Sequence, residues 1–214
     1  MKGKQVTILI LLLLFIDQAI KIYIKTNFYY GEEHKVFGQY WFRLHFLENP
    51  GMAWGWKFGQ GDIAKLALTS FRLGAVIWGS FYIAKIIRRK YHPGFIISVA
   101  FIYAGALGNL IDSLFYGLIF EKSDPVTQNI AHAFSPHSGY AGFMYGHVVD
   151  MWYFPFFVTK LPEWIPFWGG NDFEFFQPVF NTADVWVSTG VITILVFQKR
   201  FFRKANKALD RGNL

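Results

Sequence analysis

Hydrophobic positions in this chain come in long blocks. Four blocks, Val6 to Ile24, Ile63 to Ile87, Gly94 to Leu114 and Ala183 to Phe202, are apolar on nearly all sides. Each is roughly 20 residues, the length a helix needs to cross ~30 Å of hydrocarbon at ~1.5 Å per residue. The pattern therefore predicts four transmembrane helices. Between them, Val36–Phe46 is rich in aromatic and β-branched residues and predicts strand. Asn49-Pro50-Gly51 then marks a turn. Met151–Phe180 is dense in Trp, Phe and Pro and is expected to lie along a membrane surface. Ser123–Gly146 has little periodicity and reads as an inserted loop that should tolerate replacement of Thr127–Gly139 by a short linker.

The first block starts after Lys2 and Lys4, as a secretory signal would. It runs on through Asp17, Gln18 and Lys21 into Ile22-Tyr23-Ile24 with no small-residue cleavage site, so an uncleaved span is expected. No repeat or low-complexity tract interrupts the 214 residues, and residues 1–214 read as one membrane domain with an insertion over about 115–147.

Composition agrees with a bilayer protein. Charged residues make up 16% of the chain, against about a quarter in soluble domains. The 25 Phe, 8 Trp and 11 Tyr suit membrane–water boundaries. There is no cysteine, which excludes a disulfide framework, a thiol nucleophile and a thiolate metal site. A net charge of +7 raises the question of nucleic acid, but its distribution argues against that partner. The cations gather at Lys2 and Lys4; at Lys85, Arg88, Arg89 and Lys90; and at Lys199, Arg200, Arg203, Lys204, Lys207 and Arg211, each at the end of an apolar block. From Phe115 to Ala183 only Lys122 and Lys160 face six acids. By the positive-inside rule both termini and the Arg88–Lys90 connection are cytoplasmic.

Polar groups in or beside the apolar blocks are costly and each needs an account. Asp17 and Lys21, at i and i+4, read by spacing as an interfacial ion pair with Lys21 snorkelling. Asn109 and Asp112 follow a small-residue patch, with Ala104 and Gly108 spaced for close helix approach. Packing and function weigh equally for that pair. Asp184, taken singly, reads as a first-turn carboxylate capped by Asn181, and Asp150 as a loop acid. Arg72 lies about 10 Å deeper than Lys65 along the second block and either snorkels or faces the bundle. His132, His137 and His147 lack ligand spacing on one element, so neither a metal nor another cofactor is expected.

Taken together and in order, these segments resemble the lipoprotein signal peptidase (signal peptidase II) family. Asp17-Gln18-Ala19-Ile20-Lys21 is similar to its D-Q-x-x-K box. Asn49-Pro50-Gly51-Met52-Ala53-Trp54 is similar to N-x-G-x-A-[F/W], and Gly105–Asp112 to G-x-x-G-N-x-x-D. Val148-Val149-Asp150 and Phe180-Asn181-Thr182-Ala183-Asp184 resemble V-[VI]-D and F-N-x-A-D. The resemblance implies a four-helix membrane bundle with a small extracytoplasmic β-cradle and a surface helix. It implies a monomer in the bacterial inner membrane, among membrane lipid, with its site near the outer face. It also implies an aspartyl endopeptidase, blocked by globomycin-type lipopeptides, that cuts a diacylglyceryl prolipoprotein before the lipid-bearing cysteine. Asp150 and Asp184 are the implied catalytic pair. Asn49, Gly51, Asn109, Asn181 and Ala183 are implied to shape the site, with Asp17, Lys21 and Asp112 in support.

Two departures stand out. The family has Arg after the third-helix Asp, whereas Ser113 stands here, leaving Arg72 or His147 as replacements. Its short hairpin before V-[VI]-D is also replaced by Phe115–His147. The rival readings are a proton- or ion-coupled transporter using Asp17, Asp112, Asp150 and Asp184, and a structural assembly factor. Transport sites lie near the midplane on broken helices, whereas these acids sit toward the outer ends.

Overall fold

The computed structural model describes residues 2–51, 62–155, 157–160, 162–164, 170, 172–175 and 178–202. Its long helices are α1 (Gly3–Asn27), α2 (Asp62–Arg88), α3 (Pro93–Ile111) and, near the end of the chain, α5 (Thr182–Phe201). They fall on the four predicted blocks and overrun the first by about a turn. After α3 the chain continues through a π-helical turn, Asp112–Tyr116, into a last short turn, α4 (Gly117–Ile119). The third helix is thus longer than the apolar block that announced it. Among the described residues, α1, α2 and the Pro93–Ile119 run are long and apolar enough to cross a membrane. α5 lies against α3, which also packs against α1 and α2 and so forms the centre of the bundle.

Local signals explain the helix ends. Pro93 opens α3 with its fixed φ, and the His92 ring nitrogen accepts from the Gly94 amide at 3.1 Å. Lys85 and Arg88 occupy the last turn of α2, where the helix dipole favours cations. A capping box starts α5: Asn181 accepts from the Asp184 amide at 3.1 Å, and the Asp184 carboxylate accepts from the Asn181 amide at 3.3 Å.

A three-stranded antiparallel sheet covers one end of the bundle, in the order β1 (Glu33–Lys35), β2 (Arg43–Asn49), β3 (Val148–Tyr153). The predicted Val36–Phe46 strand is shifted. Val36–Gly38 forms a 3-10 turn, with Phe37 at a φ of 51°, and pairing resumes only at Arg43. Below the sheet, Phe46, Val149 and Met151 pack on Ile24 and Phe28 of α1 and on Tyr116 and Phe120. Burying such side chains contributes at most about 1.5–3 kcal/mol each. A second apolar cluster at the opposite end joins Val6, Ile83, Ile86, Phe95 and Ile96. Within Met151–Phe180, the expected surface stretch, β4 (Phe157–Lys160) pairs antiparallel with β5 (Asp172–Phe175), and no helix occurs there among the described residues.

The insertion folds back onto the helix it follows. The Phe134 amide donates to Ile119 O at 2.8 Å, Gly139 to Phe120 O at 3.0 Å and Gly146 to Ser113 O at 2.9 Å, which satisfies carbonyls a helix end leaves open. Tyr29 bridges to Ile130, and Ala131 is fully buried. The loop is therefore packed, and the tolerance expected from its composition needs amending. Replacing Thr127–Gly139 with a Gly/Ser linker should cost about 4 kcal/mol, from four lost backbone bonds to retained residues at about 1 kcal/mol each. Beside the Phe134 and Gly139 bonds above, these are Glu121 N to His132 O and Gln128 N to Asp124 O. Cleavage per folded molecule should persist. Thermal unfolding and turnover of the same preparation check this, and a fully folded but inactive variant would contradict it.

Candidate active site

Asp150 is the third residue of β3, opposite Leu47 of β2, and is buried at 5% exposure. It is therefore not the solvated loop acid that its context suggested. Beyond Trp152 the chain returns at Phe180. Their reciprocal amide–carbonyl bonds, 2.7 and 3.1 Å, place the start of α5 beside β3. The Trp152 indole also donates to Thr182 Oγ1 at 3.0 Å. This junction brings Asp150 and Asp184 to one cavity of about 640 Å³, also lined by Asn49, Arg72, Asn109 and Asn181.

Three amides hold the two carboxylates. Asn181 Nδ2 donates to Asp150 Oδ1 at 2.6 Å, and the same residue caps Asp184, so one side chain ties both acids. Asn49 Nδ2 donates to Asp150 Oδ2 at 3.1 Å. Asn109 Nδ2 donates to Asp184 Oδ1 at 3.0 Å. Asn49 is itself oriented by the Gly51 amide, which donates to its Oδ1 at 2.8 Å. Gly51 has a φ of +115°, and a Cβ there would stand 2.5 Å from Leu68 Cδ2, so only glycine fits without strain. Met52, Ala53 and Trp54 of the same motif lie outside the described residues. Ala183 is fully buried between the two acids in sequence.

Burial is the largest influence on Asp150, and the charge of Asp184 adds to it. The amides of Asn181 and Asn49 and the charge of Lys21 pull the other way, leaving its carboxyl at about 7. The two acids line one cavity, so the charge of Asp184 works against ionisation of Asp150.

Asp17 and Lys21 are not at a wet interface: both side chains are fully buried. Lys21 Nζ lies 3.0 Å from Asp17 and 2.8 Å from Asp112, and donates to Asn109 Oδ1 at 2.9 Å. Asn109 thus connects this ionic triad to Asp184. Gln18, to which the sequence assigned no role, donates to Asp112 at 2.9 Å and Asp17 at 3.1 Å and accepts from Tyr116 Oη at 3.1 Å. Gly108 makes the approach possible, because a Cβ there would meet Asp17 Oδ2 at 2.5 Å.

Arg72 and His147 go different ways. Arg72 faces the bundle and donates to Ser113 Oγ at 2.9 Å, while Ser113 donates to Asn109 O at 2.9 Å. The π-turn supplies this local backbone, a distortion that recurs at functional sites. His147 instead meets Glu48 at 3.2 Å. Glu48 also pairs with the buried Lys25, which donates to Ser123 at 3.0 Å. Burial alone would raise the Glu48 carboxyl, but His147 and Lys25 outweigh it and hold it below the ordinary range. This second buried network was not legible in the sequence, since its members come from α1, β2 and the insertion.

A lipoprotein signal peptidase of Porphyromonas gingivalis is 45% identical over 200 residues, covering 93% of this chain and 84% of that protein. Another, from Amoebophilus asiaticus, is 33% identical over 89% of this chain and 75% of that protein. Two solved bacterial membrane enzymes share the fold, with TM-scores of 0.58 and 0.55 at 19% and 20% identity. They match 92% and 91% of this chain, and 89% and 92% of their own. The model of the signal peptidase II family matches residues 9–200, and this chain belongs to that family of lipoprotein-processing membrane peptidases.

Proposed function

We propose that this chain is an aspartyl endopeptidase that releases the signal peptide from diacylglyceryl prolipoproteins by cutting just before the lipid-modified cysteine. The observation that carries this reading is the pair Asp150 and Asp184, held by Asn181 at one cavity, with Asp150 shifted to about 7. In the mechanism, one carboxylate takes a proton from water as the oxygen attacks the scissile carbonyl. The other carboxyl, protonated, polarises that carbonyl and then donates to the departing amine. The raised Asp150 carboxyl and the placement of Asp184 at a helix N-terminus support a proton held mainly on Asp150. Asn49, Gly51, Asn109, Asn181 and Ala183 shape the site. Asp17, Lys21 and Asp112 keep Asn109 in place behind it.

The cavity continues down α5 past Val187 to Ile192, an apolar wall beside polar groups, which suits a substrate that is half lipid and half peptide. The deciding experiment offers purified protein the diacylglyceryl prolipoprotein and its unlipidated form. Cleavage of the first alone, blocked by a globomycin-type lipopeptide, is expected. Equal cleavage of both, or none of either, would refute the assignment.

We also propose that four helices cross the membrane, α5 being the fourth, with both termini cytoplasmic and the sheet outside. The basic clusters at the block ends motivate this. Single cysteines at Glu33 and Asn213 of this cysteine-free chain should respectively react and fail to react with an impermeant thiol reagent in intact spheroplasts. The reverse pattern would invert the topology.

A further inference from the structure

Arg72 is a membrane-helix cation that the charges of Asp112, Asp184 and Asp150 reach only from beyond ion-pair distance. Among the described residues its hydrogen bond goes to the neutral hydroxyl of Ser113, and no carboxylate forms an ion pair with it. Lys65, seven residues earlier on the same face of α2, is 9% exposed, and its Nζ has no hydrogen-bond partner among the described residues. Thr69, between them on that face, is fully buried and donates to Met144 O at 2.9 Å, which docks the stripe against the bundle. A cation held at such a place with no direct ion pair is costly, and an intramembrane ionisable residue of this kind points to a functional site. Arg72 lines the cavity that holds Asp150 and Asp184.

Peptide hydrolysis creates an anion that a cation in this cavity could contact directly. Water oxygen bonds to the carbonyl carbon, the carbonyl oxygen becomes an oxyanion, and the C–N bond then breaks. Water gives one proton to the ionised carboxylate, the amine leaves with the proton of the other carboxyl, and the acid fragment becomes a carboxylate by releasing its remaining hydroxyl proton. We propose that Arg72 binds this anion, first as the developing oxyanion and then as the new C-terminal carboxylate of the released signal peptide. The inference rests on the peptidase reading above. A guanidinium suits the task because its planar donors match a carboxylate and it stays charged at any working pH. Ser113 aims it from the π-turn.

The test compares two peptides corresponding to the released signal sequence, one ending in a free carboxylate and one in an amide, as inhibitors of the full-length enzyme. Wild type should bind the acid about tenfold more tightly, as a charge-assisted bond implies. Arg72→Gln should erase that ratio and lower kcat about a hundredfold, with KM changed far less. Arg72→Lys should keep part of both. Because Ser113 touches the guanidinium, the double variant Arg72→Gln/Ser113→Arg should restore the acid preference. Equal potency of acid and amide on wild type would overturn the proposal without needing any variant to fold. So would an acid preference that survives Arg72→Gln, the result expected if Arg72 meets a lipid phosphate instead. Wild-type cleavage in the same assay stands apart: its absence refutes the peptidase reading, whereas cleavage with an insensitive ratio refutes only the role of Arg72.

Discussion

Asp150→Asn and Asp184→Asn are each expected to remove nearly all cleavage while the protein still inserts and folds. An amide neither takes a proton from water nor returns one to the leaving amine. Acid–base catalysis is typically worth about 10²–10⁴-fold, and losing one member of a unit costs nearly as much as losing both. The double variant should therefore be little worse than either single one. The substitutions are not wholly silent structurally. Asp150 accepts from two side-chain amides, of Asn49 and Asn181, so an Asn in its place turns its own NH2 toward one of those donors. Asp184 meets the same conflict between Asn109 and the Asn181 backbone. A stability loss of about 1–3 kcal/mol is expected, and turnover must be normalised to folded protein. Wild-type turnover should also fall as pH rises through about 7. There the proton leaves Asp150, and its carboxyl can no longer donate to the carbonyl or the amine. Near-normal turnover by either single variant at normal abundance would end the two-carboxylate mechanism.

The second large effect concerns stability. Lys21→Met should destabilise the bundle by about 3–5 kcal/mol, the usual consequence of removing one partner from a buried ionic cluster. Asp17 and Asp112, both fully buried, would then face each other without a cation. Asn109 would lose the 2.9 Å donor that orients it toward Asp184. Activity should fall here largely in step with stability, whereas the Asp150 and Asp184 variants should lose turnover even when it is normalised to folded protein. Adding Asp17→Asn and Asp112→Asn should recover much of the fold, since a neutral set no longer buries unpaired charge. Thermal unfolding in detergent reads both steps. A Lys21→Met protein as stable as wild type would mean that water reaches the triad.

What the sequence determined by itself is local or statistical. The apolar blocks located α1, α2, α3 and α5, because a membrane helix satisfies its backbone within the segment and needs only length and apolarity. The α5 cap was equally legible, since Asn181 and Asp184 are neighbours on the first turn. Tertiary structure decided the rest. Lys21 reads as a snorkelling cation until α3 brings Asn109, 88 residues away, onto it. Arg72 shows which way it faces only when Ser113, 41 residues on, accepts its hydrogen bond. The β2 strand begins seven residues later than its composition suggested, because pairing with β3 and the kink at Phe37, not propensity, set where it starts. Asp150 meets Asp184 only because Phe180 bridges back to Trp152. Charge and hydrogen bonding act over a few ångströms in space whatever the separation along the chain. Two acids that each look ordinary in sequence therefore become a coupled pair only when the fold encloses them.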